Sequence, residues 1–369
     1  MATAGATDAA RTAALSPARA HGAPVAEAAL RERAEDFLVE EDLGFAPAGA
    51  GLHLLLKVRK TDANTPWVAR ELARHAGCRP QEVGYAGLKD RRAVAIQWFT
   101  VPRPRTPLDL AAVRGEGYEV LESHAHNRKL PRGALAGNRF AIRLRPAGGG
   151  GAGLAGRLAP RLALIAARGV PNYFGPQRFG RDGGNLTAAA QDPARLPAAE
   201  RGLVLSAARS VVFNALLATR VGDGSWERLL AGDLASLDGR GSFFPVVALD
   251  DQLAARCTRL EIHPTGPLWG AGEPGTAAGV LGLEMRISAE FAAECALCAA
   301  AGMAQERRSL RLRVAELTCE AEPAAVVLRF RLTRGSFATA VLRELVADYA
   351  GDNSTYSAPV PPSAGRADT

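Results

Sequence analysis

Two blocks of strand-forming sequence lie near opposite ends of this chain, and the stretch from about Asn172 to Arg308 between them reads as mainly helical with Gly/Pro-rich loops. In the first block, His53–Val58 reads as a strand, and Val94–Val101 alternates as one. Between them, Asn64-Thr65 with Pro66 at the first position opens a helix through Trp67, Val68, Leu72 and His75. Phe140–Arg145 alternates as a strand with arginines along one face, Gly148–Gly151 with Gly153 forms a flexible break, and Leu154–Arg168 has helical period. The second block has a strand at Ala325–Leu332, a Gly-Ser turn and a helix over Thr339–Ala350. Strand-rich ends around a helical middle imply an α+β fold in which one domain interrupts another. Residues 1–28, Ala-rich and of low complexity, and the Pro-rich residues 352–369 read as disordered.

A length of 369 residues suits about two domains, and a 47% hydrophobic content is enough for their cores. Only Lys57, Lys60, Lys89 and Lys129 are lysines; every other base is arginine. From Ser123 to Arg181 there are eleven Arg or Lys and no acid, against a whole-chain net charge of +7, so the remainder is net negative. Concentrated guanidinium charge is the footprint of a phosphate-backbone binder. No basic amphipathic helix with an aromatic face argues for a membrane surface, and no apolar stretch is expected to reach transmembrane length. An odd, scattered set of five cysteines suits reduced thiols and a cytoplasmic location. The pair Cys295 and Cys298 reads as a buried helix face rather than a metal site. Gly270–Gly275 spells GxGxxG but has no strand before it and Pro274 inside it, which excludes a dinucleotide-binding turn. His124-Ala125-His126 lacks a third ligand, so no metal is expected.

Asp90 stands among cations in Gly84-Tyr85-Ala86-Gly87-Leu88-Lys89-Asp90-Arg91-Arg92-Ala93, immediately before the strand from Val94. Nearby positive charge favours the ionised form of a carboxylate. A rigidly held carboxylate in a basic protein suits a nucleophile or base aimed at a polyanion. Taken alone, the motif is better read as an ordinary ion-paired surface turn. Four other segments add weight. They are Ala34–Glu41, with Phe37 between acids; Lys129–Phe140, basic and turn-rich; Val170–Gly180, interleaving aromatics, amides and Arg178; and Arg334–Leu345, around Phe337. Aromatic rings with amide and guanidinium donors are what recognition of an unstacked base requires.

Together with Ser206–Ser210, Phe213-Asn214, Gly232-Asp233, Gly239–Ser242 and Pro264–Gly270, these segments resemble the tRNA pseudouridine synthase D (TruD) family in its order from about Arg31 to Tyr349. That resemblance implies isomerisation of the uridine at position 13, in the D-arm of tRNA. It implies Asp90 as the catalytic aspartate and Phe37, Asn138 and Phe337 as substrate-binding residues, with Arg31 as the basic partner of the aspartate. The implied fold is a pseudouridine-synthase-type catalytic domain with a mixed, largely antiparallel sheet, made from residues 29–171 and 311–351. A mainly helical α/β insertion, the TRUD domain, would occupy 172–310. The candidates for further RNA contact are Lys89, Arg91, Arg128, Lys129, Arg132, Arg139 and Arg178. Isomerisation adds and removes nothing, so no cofactor is needed, and a monomer acting on tRNA without an obligate protein partner is expected. The rival readings are an RNA-binding protein without chemistry and a synthase acting on another RNA.

Overall fold

A computed structural model of the chain describes residues 8–109, 112–180, 183–189 and 196–347. Helix α1 (Asp8–Leu15) is followed by strands β1 (Ala26–Leu30), β2 (Phe37–Asp42) and β3 (His53–Thr61). Helix α2 (Thr65–Ala76) then leads to β4 (Gly84–Tyr85), β5 (Val94–Pro102), β6 (Arg114–Gly115), β7 (Tyr118–His126) and β8 (Gly137–Pro146). Asn64 flanks α2 in extended conformation, with Pro66 one place inside the first helical residue, and Gly77 closes it at a left-handed φ of 64°. Its inward residues Val68, Leu72 and Ala76 pack on Leu56, Val58 and Phe99 of the sheet.

Helix α3 (Gly151–Arg168) and a two-residue strand β9 (Val170–Pro171) lead into the middle of the chain. There α4 (Gly184–Ala189), α5 (Ala198–Gly222), β10 (Leu234–Leu237), β11 (Phe243–Pro245), α6 (Asp251–Thr258), β12 (Ile262–Leu268), α7 (Ala278–Glu290), α8 (Ala292–Ala300) and β13 (Glu306–Ser309) follow. The strands form a four-stranded antiparallel sheet in the order β11-β10-β12-β13. Strand β14 (Arg311–Leu312) pairs antiparallel with β9, so the chain leaves the large sheet and returns to it side by side. Strands β15 (Ala315–Glu322) and β16 (Ala325–Thr333), helix α9 (Ala338–Leu342) and β17 (Val346–Ala347) complete the chain.

The large sheet has eleven strands, with a spine ordered β15-β16-β8-β2-β5-β3-β7-β6. Strands from both ends of the chain meet at β16–β8, and the sheet is antiparallel except where β2 lies parallel to β5 and β1 to β17. This is a mixed, largely antiparallel sheet in an α+β fold. Directly opposed residues share a face. Thus Phe37, Val39 and Glu41 of β2 share theirs with Ile142, Phe140 and Asn138 of β8, and with Ala95 and Gln97 of β5 and Lys60 of β3. Helix α2 covers one end of this face, while α3 and α9 pack a second core at the other. The central strands β2 and β5 run between the two cores.

Several expectations are corrected. Residues 8–28 are ordered: Ala14 is fully buried against α5, and the Asn214 amide donates to its carbonyl at 3.0 Å. Alanine-rich composition here serves close helix packing. Residues 352–369 lie outside the described residues. The glycine run after β8 is a tight turn with Gly148, Gly149 and Gly150 all at positive φ, and Gly151 starts α3. The last helix ends at Leu342, because Val346–Ala347 pairs with Ala26–Glu27 of β1 instead. Glu200–Gly222 is long and apolar enough to cross a membrane, contrary to expectation, but 61% of its most apolar window is buried within the protein. It is the central helix of the middle core, around Phe213, Leu217 and Trp226. Cys295 and Cys298 are buried on α8, and burial pushes their thiols up to about 12 and about 11.

Candidate active site

Asp90 sits in the loop that precedes β5, and a buried polar network holds this loop over the sheet. Lys60, fully buried, donates to the carbonyl oxygens of Asp90 and Ala63, both at 2.8 Å. Burial lowers the Lys60 pKa to about 8, partly opposed by the negative charge of Asp90. The Lys89 ammonium turns inward to Glu41 Oε1 at 2.6 Å, and its backbone N–H donates to Thr65 Oγ1. Gln97 accepts from Thr65 and donates to Gly87 O at 2.7 Å and to Glu41 Oε1. The second Glu41 oxygen accepts from Trp98 N–H. Every turn of the loop is therefore tied to β2, β3, β5 or α2.

The Asp90 carboxylate stays open to solvent, its side chain 39% exposed, and accepts from Arg31 Nη2 at 2.8 Å. Arg31 follows β1 and holds an unusual φ of 58°, a backbone conformation that a non-glycine residue adopts at a cost of about 1 kcal/mol or more. Its guanidinium lies 3.9 Å from the centroid of the Phe37 ring, which meets Phe140 edge-on at 6.0 Å. Phe37 is preceded by Asp36, 1% exposed and bound by Arg145 Nη2 at 2.6 Å. Burial pushes that carboxyl up, but the bond and charge of Arg145 outweigh it and hold the pKa below the usual range. Asp90, Arg31 and Phe37 thus form one continuous contact.

Asn138 lies on the same sheet face, opposite Glu41, about 13 Å along β2 from Phe37 at strand rise. It is 9% exposed, and its side-chain oxygen has no hydrogen-bond partner among the described residues. Buried acceptors are rarely left unpaired, so this oxygen is suited to a ligand donor. Phe337 follows the turn after β16 and is 37% exposed, tilted against Phe174 at 6.2 Å. That turn adjoins Asn138, since Thr333 opposes Gly137 and Arg334 N–H donates to Ala136 O.

The further cation candidates separate. Lys89 is committed to Glu41, so it serves the loop rather than an incoming polyanion. Arg91 reaches Asp62. Arg139 points to the opposite face from Asn138, as alternate strand residues must, and pairs with Glu316. Arg143 and Arg145 are likewise neutralised by Asp36 and Glu322. Arg128, Lys129 and Arg132 remain exposed on one loop, with Lys129 on Gln81 O and Arg132 stacked 3.8 Å from the Tyr85 centroid. Arg178 lies over the Phe174 and Phe337 rings. His124 meets Glu122, and no cluster of three metal-binding side chains occurs among the described residues. The residue-by-residue reading missed Lys60, Glu41, Thr65 and Gln97. One signal was available for Lys60: it is a lysine in a chain whose bases are almost all arginine.

A model of the family tRNA pseudouridine synthase D (TruD) matches residues 19–192 and 185–345. A tRNA pseudouridine synthase D of Methylococcus capsulatus is 47% identical over 337 residues, covering 89% of this chain and 93% of that protein. One from Pseudomonas aeruginosa is 46% identical over 339 residues with the same coverage. A crystal structure described as a TruD of Methanosarcina mazei superposes with a TM-score of 0.68 at 19% identity, over 90% of this chain and 96% of the other. The structural likeness shows a shared fold, and the sequence matches span nearly all the elements that build the Asp90 site. The chain belongs to the tRNA pseudouridine synthase D family.

Proposed function

We propose that this protein converts uridine to pseudouridine at position 13, in the D-arm of tRNA, with Asp90 as the catalytic residue. The observation that carries the reading is the Asp90–Arg31–Phe37 contact, a carboxylate and an aromatic face joined by one guanidinium, in a chain of this family. A uridine in folded RNA must leave its stack first, at a cost of a few kcal/mol. Phe37 is buried with the Arg31 guanidinium over its ring, so it offers the extruded uracil a stacking face once that guanidinium moves aside. The unpaired Asn138 oxygen suits a hydroxyl or N–H donor of the RNA away from the base on Phe37, and Phe337 suits a neighbouring ring of the RNA.

Asp90 starts cleavage of the C1′–N1 bond, either by attacking C1′ or by removing the proton at C2′. The bonding electrons leave on the uracil, which turns and bonds from C5 to C1′ as the Asp90–C1′ ester breaks or, on the second route, as Asp90 returns the proton to C2′. The proton displaced from C5 is lost and N1 gains one, so the product is an isomer. Arg31 orients the carboxylate through its hydrogen bond. The catalytic domain is assigned to residues 29–171 and 311–351 and the insertion to 172–310; the pairing of β9 with β14 supports a boundary there. A cytoplasmic monomer without a cofactor completes the reading.

Asp90→Asn keeps the shape of the residue and removes its charge. It is expected to abolish pseudouridine formation on a tRNA transcript while leaving tRNA affinity within about threefold. Wild-type turnover by the Asn variant would falsify the assignment of Asp90. Mapping pseudouridine in cellular RNA with and without the gene identifies the substrate position. A uridine deuterated at C2′ reacts slowly only if Asp90 removes that proton.

A further inference from the structure

Arg178 and Arg308 approach each other across the aromatic pair Phe174 and Phe337. The Arg308 guanidinium lies 4.2 Å from the Phe174 centroid and 5.9 Å from that of Phe337; Arg178 lies at 5.2 Å and 5.7 Å. The two come from separate elements, the 3-10 turn Pro176–Phe179 and β13. The hydrogen-bond acceptors that hold them are neutral. Arg308 donates to the Asn172 carbonyl and side-chain oxygens and to Gly335 O, and Arg178 to Ser206 Oγ. No carboxylate among the described residues pairs with either group.

Several other inward-facing arginines are paired with carboxylates, although buried Arg311 is held by neutral acceptors alone. Arg307, the neighbour of Arg308, is bound by Glu284; Arg220 is bound by Asp233 and Arg331 by Asp42. Drawing two guanidinium charges together without an anion is unfavourable. Burial and the charge of Arg178 lower the Arg308 pKa to about 9, and burial lowers that of Arg178. A cavity of about 210 Å³ opens beside Arg308, lined also by Asn172, Arg240, Arg334 and Ser336, with Asp238 as its one carboxylate. The cavity lies where the four-stranded sheet meets the turn before Phe337.

We infer that Arg178 and Arg308, both beside the Phe337 ring, form a receptor for a phosphodiester of the RNA strand beside the target nucleotide. The inference deepens the proposed function and rests on it for the identity of the ligand as RNA. A phosphate bridging the two groups removes their mutual repulsion. It also accepts N–H donors of Arg178 beyond the one that meets Ser206 Oγ, in the planar geometry guanidinium groups favour. The adjoining ring provides a stacking face for the attached base.

The test measures binding of a tRNA transcript by fluorescence anisotropy over a salt series, with the wild type and with Arg178→Gln and Arg308→Gln. Each variant is expected to weaken binding about tenfold at moderate salt and to flatten the slope of log affinity against log salt by about 0.7, the value for one single-stranded phosphate. Unchanged affinity and slope with a lowered melting temperature means that the pair only cements the two sheets, which overturns the inference. Arg308→Gln loses three anchoring bonds, so a second measurement avoids reliance on its folding. Single methylphosphonate substitutions along a substrate hairpin should include one that weakens the wild type and adds no further loss in Arg178→Gln. If no position behaves so, the inference fails. Wild-type pseudouridine formation on the same transcript, followed in parallel, fails only if the proposed activity itself is wrong.

Discussion

Lys60 is the residue on which the position of Asp90 most depends. Its ammonium is fully buried, and its close acceptors are backbone carbonyl oxygens, one of them belonging to Asp90 itself. Lys60→Met removes both bonds, and each carbonyl left unpaired costs about 1–3 kcal/mol. A shift of about 1 Å in a reacting group can lower a rate by about a hundredfold. Single-turnover measurements on this variant are therefore expected to show at least a tenfold loss in rate, with tRNA affinity within about twofold. A purely structural role would lower the melting temperature and leave the rate of the folded fraction unchanged. The same group gives a pH signature. Its folded pKa, about 8, lies below that of the unfolded chain because burial disfavours the charge. Between about pH 8 and pH 10 the unfolded state holds the extra proton, so this group's contribution to stability rises with pH. The charge facing Asp90, Lys89, Glu41 and Asp62 is meanwhile lost. The wild-type rate is expected to decline above about pH 8 while the melting temperature does not. A flat rate up to pH 9.5 would sink this role. Local sequence suggested that Lys89, Arg91 and Arg92 serve Asp90, yet the structure turns Lys89 to Glu41 and Arg91 to Asp62 and brings Arg31 from a distant turn.

At the scale of elements, α1 shows how composition misleads. An alanine-rich start suggests disorder when read by complexity, but small side chains let one helix approach another closely. Asn214, fully buried on α5, accepts from Phe174 N–H and donates to the carbonyls of Phe174 and Ala14, joining three segments. Asn214→Ala is expected to cost about 3 kcal/mol in urea unfolding. Deleting residues 2–16 should itself lower stability. The same substitution should then cost about 1 kcal/mol less, since one bond is already gone, and the double-mutant cycle reads that coupling. Full additivity would mean that α1 does not dock on Asn214. The strands were far more legible than this helix. His53–Val58, Val94–Val101, Phe140–Arg145 and Ala325–Leu332 all fall within strands, and along Phe140–Arg145 burial alternates residue by residue as the side-chain order predicts. The end of the chain was not legible: Val346–Ala347 is apolar enough to continue a helix and becomes a strand only because β1 offers it a partner.

For the whole molecule, the net charge of +7 says less about RNA binding than the pairing of the charges does. Acids from elsewhere in the chain, Asp36, Glu227, Glu316 and Glu322, neutralise Arg145, Arg168, Arg139 and Arg143 within the acid-free stretch. Arg181 lies outside the described residues. Exposed cations remain at Arg128, Lys129 and Arg132. Replacing Arg128 and Arg132 together by alanine is expected to weaken tRNA binding and flatten its salt dependence, with little effect on melting. Replacing Arg143 and Arg145 together should do the reverse, because it strands the buried carboxylate of Asp36. Equal losses of affinity in the two pairs would mean that the observed ion pairs do not persist in solution. By itself the sequence determined the family and the α+β class, because those are carried by the order of motifs and by periodicity, and the resemblance named Asp90, Phe37, Asn138, Phe337 and Arg31 as candidates. Only the tertiary structure decided which charge meets which. Lys60 beneath Asp90, Lys89 with Glu41, and Arg178 beside Arg308 are contacts between residues far apart in the chain, and of these pairings only Arg31 with Asp90 was expected from the resemblance. Strand register and burial set those distances, and neither is readable from the order of residues.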